Sequence, residues 1–346
     1  MTGFETRPLG RTSLRVTVLG LGTGTLGGHR IPVTRQEGEA VVRAAWSSGV
    51  CYFDCAPFYG FGRASRLLGD TLRELPRHEW VLATKVGRLL RPQTGVAASA
   101  TLRHPMPFDP VYDYSYSGIM RSFEDDLQRL GLARIDILYV HDVGAREHRD
   151  AYPEIRRTFR KNGYRALEEL RSSGTVSAIG IGVNEWEVLD EALDWGAWDV
   201  FLLAGRYTLL EQTAIEKLLP KCLRMGISVV IGAPFNTGIL AGRDSWNYRP
   251  APREIVDRVD EIRAVCDDHG VPLIAAALQF PLAHPAVAAI LPGPRNVEEF
   301  ETNARLLHYP LPTALWADLR TAGLLHLDAP IPADPAGRAV TRGGSR

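Results

Sequence analysis

Four ionisable side chains in the first half of the chain are of the types that together move a proton on and off an alcohol oxygen: Asp54, Tyr59, Lys85 and His141. An unperturbed tyrosine, with a pKa of about 10, is a poor acid or base at neutral pH. A neighbouring ammonium favours the phenolate and lowers that pKa, each unit being worth about 1.4 kcal/mol. Lys85 can supply the cation, Asp54 can pair with it and orient it, and His141 can hold a substrate oxygen. Phenol, ammonium and imidazole around one oxygen suit a carbonyl interconverting with an alcohol. Each residue alone has a plainer role: Asp54 as a turn cap, Lys85 as a solvated charge, His141 as a core histidine. What they share is where they stand.

That shared place is the end of an apolar run. Short runs at 17–22, 50–54, 80–85, 135–141, 177–182, 199–204, 227–232 and 286–291 read as eight strands. Amphipathic stretches such as EGEAVVRAAWSSG, MRSFEDDLQRLG and YRALEELRSSG lie between them and finish in glycine, which tolerates the left-handed helix stop. Several strands are apolar throughout, as parallel strands covered on both faces are. Eight such units without a compositional break predict an α/β fold of the (β/α)8, or TIM-barrel, type, forming one domain over residues 1–330. The active face of such a barrel lies at the C-terminal strand ends. Asp54, Lys85 and His141 end the second, third and fourth strands, the fifth leads into Asn184, and Tyr59 sits in the loop above.

Three segments fall outside the alternation. RPLGRTSLRV is expected to form a hairpin capping the barrel floor. Residues 87–117 and 232–253 interrupt the third and seventh units and read as long lid or binding loops. The first carries Phe108, Tyr112, Tyr114 and Tyr116, which either close over a substrate or pin the loop to the barrel. Residues 331–346, rich in Pro, Gly and Arg, read as a disordered tail.

Gly22-Thr23-Gly24-Thr25-Leu26-Gly27 matches GxGxxG directly after a strand. A dinucleotide-binding βαβ unit would open a helix inside the motif and place an acid about 20 residues on. Here the chain runs on through Pro32 to a plausible helix start near Thr34, with no acid at a second strand tip at that spacing. The glycines instead read as a first barrel loop that lets backbone approach a ligand.

Bulk composition narrows the partners. Lys plus Arg and Asp plus Glu both number 40, giving zero formal charge, so nothing in the charge balance points to nucleic acid or an anionic membrane. No apolar stretch of about 18 residues is present to span a bilayer, and no signal-peptide apolar segment precedes the first strand, so a cytoplasmic setting is expected. Four scattered cysteines make neither a disulfide framework nor a metal motif, and no metal is expected. A monomer or small homo-oligomer acting on a small molecule is the expected state.

Phe53-Asp54 with Tyr59-Gly60, then ATKVG and LYVHD, in that order, resembles the aldo-keto reductase superfamily over about residues 7–308. The resemblance implies a nicotinamide cofactor bound on a barrel, with Asp54, Tyr59, Lys85 and His141 as the catalytic tetrad. It further implies cofactor contacts at Gly22, Thr23, Asp54 and Asn184, and along Ala233, Pro234, Phe235, Asn236, Gly238, Leu240 and Gly242. LPGPRNVEEFETN resembles the adenosine-binding segment, with Gly293, Arg295, Glu299 and Asn303 at the contact positions. Glu299 would repel a 2′-phosphate and favours NAD, whereas Arg295 would serve NADP. Two departures stand out: Val183 precedes Asn184 where the family has serine, and Gly232 stands where it has an aromatic under the nicotinamide, a role that would pass to Tyr207.

VYDYSYSGIMRSFEDDLQRLGLARIDILYVHD and AIGIGVNEW are similar to a narrower branch of aldose 1-dehydrogenases and pyridoxal 4-dehydrogenases. That likeness implies oxidation of an aldose at C1 to a lactone with Tyr59 as base, or alternatively pyridoxal oxidation or general carbonyl reduction. Substrate contacts are expected from Tyr59 and His141 and, by loop position, from Phe58, Asp142, Trp186 and Trp246. Two other classes remain open: a Schiff-base aldolase using Lys85, and a non-catalytic nucleotide-sensing subunit.

Overall fold

The computed structural model describes residues 3–94 and 101–333. Its centre is a sheet of eight parallel strands in the order expected of a barrel. In chain order these are Leu21–Gly22, Tyr52–Asp54, Val81–Val86, Ile137–His141, Ala178–Val183, Val200–Ala204, Ser228–Gly232 and Val287–Leu291. All eight fall on the apolar runs, six within the expected bounds and the third and fifth running one residue further, to Val86 and Val183. The first and eighth strands close the ring through a parallel bridge, Leu19 to Ile290, with Gly20 N–H donating to the Ile290 carbonyl at 2.9 Å. The fold is a (β/α)8 barrel.

Period-two alternation decides what faces the barrel interior. Tyr52, Ala83, Ile137, Tyr139, Ala178, Val200, Leu202, Val230 and Ala289 form one buried cluster inside the barrel. Phe53, Leu82, Leu138, Val140, Ile179, Ile181, Phe201 and Val229 belong to a second cluster, which faces the helices. The interior parity, continued upward, brings Asp54, Lys85, His141 and Gly182 to the C-terminal rim. Register supports this: Lys85 lies beside Tyr139, and His141 beside Gly182.

The helix over Arg35–Ser47 starts at Thr34 as its sequence predicts, through a capping box in which Thr34 and Glu37 satisfy each other's backbone N–H groups. The expected floor hairpin is also present, Thr6–Pro8 pairing antiparallel with Arg15–Thr17. Leu9 and Val16 join the interior cluster from below, and Arg7 donates to the Leu282 and Val287 carbonyls at 2.8 Å each.

The two long interruptions carry secondary structure of their own. Arg88–Pro92 pairs antiparallel with Phe108–Tyr112, and Ser245–Trp246 pairs with Arg249–Pro250. Of the four aromatic rings in the first interruption, Tyr114 is buried and donates to the His141 carbonyl at 2.7 Å, and Tyr116 reaches Glu169 on the outside. Phe108 packs with Phe61, Leu90 and Leu102. These three pin the loop. Most of the expected tail, residues 334–346, lies outside the described residues.

Candidate active site

At the C-terminal rim a cavity of about 1720 Å³ opens between the loops. Typical small-molecule pockets hold roughly 300–1,000 Å³, so this one has room for a dinucleotide and a substrate together. Asp54, Tyr59, Lys85 and His141 all line it.

Lys85, 2% exposed, is the hub. Its Nζ donates to Asp54 Oδ2 at 2.7 Å and to the Cys55 carbonyl at 2.9 Å, and stands 4.9 Å from the centre of the Tyr59 ring. Burial pulls Lys85 down, but Asp54 and Tyr59 outweigh burial and hold it above the ordinary lysine range. A permanently protonated, twice-bonded amine is a poor nucleophile, which argues against a Schiff base. Asp54 is pushed up by burial and drawn back by Lys85.

Tyr59 departs from the simplest expectation. Lys85 does lower its pKa, but burial acts more strongly and the phenol is held above its ordinary value. The resting group is therefore a protonated phenol. His141 is pushed well below the usual imidazole range by burial, Arg88 and Lys85, so it is neutral, with Nδ1 lacking a partner. Its ring meets that of Tyr59 edge-on at 6.1 Å.

The loop carrying Tyr59 explains the glycine motif. A methyl group at Gly27 would lie 2.6 Å from the Tyr59 carbonyl carbon, and one at Gly60 would lie 2.4 Å from the Gly27 carbonyl oxygen. The two backbones pack directly on one another, and Gly24 faces the Tyr59 ring across ordinary contact distance. The motif seats the tyrosine loop rather than opening a helix.

The far end of the cavity is polar. Glu299 accepts from the Arg295 backbone N–H at 2.8 Å, from Arg295 Nε at 2.7 Å and from Arg243 Nη2 at 3.1 Å. Burial pushes Glu299 up, but these two arginines overcome it and leave the carboxyl below its usual range. Asn303, Gly293, Gly238 and Gly242 line the same stretch, and nothing lies within 4 Å of where a Gly242 side chain would begin. Gly22, Asn184, Ala233, Pro234 and Phe235 connect it to the tetrad. A glycine-floored channel that runs from the tetrad to an arginine–carboxylate cluster fits a nicotinamide dinucleotide.

Not every expected contact reaches the cavity. Thr23 is buried and donates to the Asp54 carbonyl, so it braces the strand end. Asn236 is held inward by Thr208, Gly205 and Glu211, and Leu240 is fully buried. Trp186 turns away to bond Thr213. Tyr207 is not a stacking ring: it is fully buried against Phe280 and His284, at 5.4 and 5.7 Å. A side chain at Gly232 would begin 3.1 Å from the Leu202 methyl and 3.3 Å from Ala204 Cβ, a tight but not closed position. Phe58, Asp142 and Trp246 do line the cavity.

Among the wall residues that escaped the sequence, Tyr248 and Arg88 stand beside the tetrad. Tyr248, at φ 64°, follows Asn247, at φ 50°, in a tight turn of the second hairpin. Its hydroxyl accepts from Asn184 Nδ2 at 3.3 Å, and its ring meets His29 edge-on at 5.7 Å across the cavity mouth. Asn-Tyr is not the Asn-Gly of a common two-residue hairpin, so the sequence gives no turn signal there. Arg88 lies just past Lys85 on the same segment; a cation immediately beyond a strand end was the one signal available.

Known proteins resemble this chain over most of its length. The profile described as the aldo/keto reductase family matches residues 18–323. A pyridoxal 4-dehydrogenase of Microbacterium luteolum is 45% identical over 93% of this chain and 98% of its own length. A D-threo-aldose 1-dehydrogenase of a Pseudomonas species is 37% identical over 90% and 95%. Among solved structures, the holo form of an aldo-keto reductase from Bacillus halodurans superposes with a TM-score of 0.73 at 22% identity, covering 93% of this chain and 97% of its own.

Proposed function

The chain belongs to the aldo/keto reductase family, and from that premise we propose that it is an NAD-dependent dehydrogenase that oxidises a cyclic hemiacetal to a lactone. The carrying observation is the convergence of Tyr59, Lys85, Asp54 and His141 on one cavity. The two relatives are named for pyridoxal and for an aldose. Both molecules carry an aldehyde that closes on one of their own hydroxyls, so one chemistry serves both. The overall change is R–CH(OH)–OR′ + NAD⁺ → R–C(=O)–OR′ + NADH + H⁺.

A nicotinamide held in this cavity would supply the hydride acceptor. Neutral His141 donates a hydrogen bond to the reacting oxygen and orients it. Tyr59, as phenolate, accepts the hydroxyl proton while the carbon gives up its hydride. Lys85 stabilises that phenolate, and Asp54 fixes Lys85. Gly22, Asn184, Ala233, Pro234, Phe235, Gly238, Gly242, Gly293, Arg295 and Asn303 are the chain's own candidates for holding the dinucleotide. NAD is favoured over NADP because Glu299 already engages both nearby guanidinium groups.

Initial rates with pyridoxal, L-fucose, L-galactose and D-arabinose, each with NAD and NADP, test this reading. Turnover of at least one hemiacetal with NAD is expected; none, despite tight NAD binding, contradicts it. Glu299→Gln frees Arg295 and Arg243 and should raise kcat/KM for NADP relative to NAD roughly tenfold, equivalent to about 1.4 kcal/mol. An unchanged ratio removes Glu299 from cofactor choice.

A further inference from the structure

The rim cavity is lined by more cations than its acids answer. Lys85 is paired with Asp54, Arg88 with Asp142, and Arg243 and Arg295 both with Glu299. Arg30, Arg146 and Arg149 line the same cavity, and among the described residues their guanidinium groups have no ion-pair or hydrogen-bond partner. The lining acids left over, Asp244 and Glu298, follow the seventh and eighth strands, as does Arg249 the seventh. In a closed ring of eight strands the fourth stands opposite the eighth. Arg146 and Arg149 follow the fourth, so they face the arginine–carboxylate cluster from across the tetrad, and the candidate dinucleotide channel leads away from them. Glu185 accepts from the Arg146 backbone N–H at 3.1 Å and seats the turn, while the side chain stays exposed. The Arg146 charge reaches into the cavity. Burial holds Asp142 and the Tyr248 hydroxyl up, Arg88 and Asn184 respectively draw them back, and Arg146 draws on both. Arg30 donates its backbone N–H to the Thr101 carbonyl at 2.6 Å, which ties it to the loop after the third strand. Arg30 and Arg149 stand at left-handed φ, 61° and 47°, a costly backbone for long side chains that is kept where a site demands it.

We propose that Arg146, with Arg149 and Arg30 around it, recognises an anionic group on the substrate, so that the molecule oxidised here carries a carboxylate or a phosphate away from its reacting carbon. That the reacting group is a hemiacetal rests on the function proposed above; that the far end is anionic rests on the charge pattern alone. A guanidinium offers parallel N–H donors that match either oxyanion, and such charge-assisted bonds are the strong ones. A neutral substrate would leave three like charges facing one another at the mouth of a walled cleft. An anion satisfies them and is also drawn in by their summed field, an effect that added salt screens.

The test uses probes matched except for charge. With NAD, D-galactose is compared with D-galacturonate and with D-galactose 6-phosphate, which differ from it only at carbon six. With NADH, butanal is compared with 4-oxobutanoate, a flexible pair whose reduction needs no hemiacetal. Wild type should favour the anion in at least one pair by roughly tenfold in kcat/KM, chiefly through KM, and that preference should shrink as ionic strength rises. Arg146→Gln should lose most of it, and Arg146→Lys should keep part. The Arg146 side chain bonds to nothing, so both variants should melt as wild type does. The two sugars tell a carboxylate from a phosphate. An Arg146-dependent preference for 4-oxobutanoate, in an enzyme that oxidises no sugar, upholds the anion site and removes the hemiacetal reading. Sugars oxidised without regard to charge, with butanal and 4-oxobutanoate reduced alike, overturn the anion site and leave that reading standing. A preference that survives Arg146→Gln overturns the assignment, and an enzyme that turns over neither pair overturns both.

Discussion

Lys85 has three N–H bonds, and two are committed to Asp54 and the Cys55 carbonyl, which leaves the third for the Tyr59 side of the cavity. The arrangement sets a sign for the pH dependence. Burial holds the Tyr59 phenol above its ordinary pKa, and oxidation needs the phenolate. Oxidative kcat/KM should therefore keep rising with pH through the alkaline range toward 10. Reduction, which uses the protonated phenol, should stay flat over that range and fall only above it. Lys85→Met removes the cation that opposes burial, so the rising limb should move to higher pH; a limb that stays in place, in a variant still folded and binding NAD, rejects Lys85 as the tuning group. The same change leaves Asp54 buried without its cation, and stability should fall by about 3–5 kcal/mol. His141 is neutral throughout this range and adds no limb of its own.

At the scale of elements, the two ends of the strands use acids differently. Asp54 and Asp142 stand at or beyond C-terminal ends and line the cavity. Asp136 and Asp199 stand just before the strands that begin at Ile137 and Val200, and they stitch neighbouring strands together. Asp136 Oδ2 accepts from the Leu82 N–H at 2.8 Å, and Asp199 Oδ2 from the Ile179 N–H at 3.0 Å and Arg171 Nη1 at 2.9 Å. Asp199→Ala should lower stability by about 2–3 kcal/mol, less than a fully buried pair because Arg171 is partly solvated, and leave kcat and KM unchanged below the melting transition. A change in KM without a change in Tm would contradict the division between the two ends. This division is also why the tetrad was legible. An acid, a lysine and a histidine at successive strand tips follow from strand ends and parity alone. Tyr207 was misread because proximity to the end of the sixth strand says nothing about side-chain direction; the chain turns it into the packing around Phe280. Trp186 failed likewise, since it opens a helix that faces outward to Thr213. Arg88 and Tyr248 take their roles from contacts across the mouth, with Phe58, Asp142 and His29, which no local pattern encodes.

Over the whole molecule, one sheet serves two purposes because its ring is filled from below and left open above. The hairpin delivers Leu9 and Val16 to the floor beside Ile137, Ala178 and Val200. The glycines at the rim, among them Gly22, Gly182 and Gly232, keep side chains out of the mouth. Leu9→Ala should cost about 2–5 kcal/mol through lost burial and the cavity it leaves. Denaturant unfolding should show that loss with NAD affinity unchanged, whereas weakened NAD binding would mean that floor and mouth are not independent. The measurement that bears most directly on the account is hemiacetal oxidation by Tyr59→Phe, with NAD affinity measured in parallel. Removing the one hydroxyl that takes the proton should lower kcat by about 10²–10⁴ while NAD binds as in wild type. Turnover within a fewfold of wild type, in a variant that still binds NAD, would contradict the assignment of Tyr59 as the proton-transfer group.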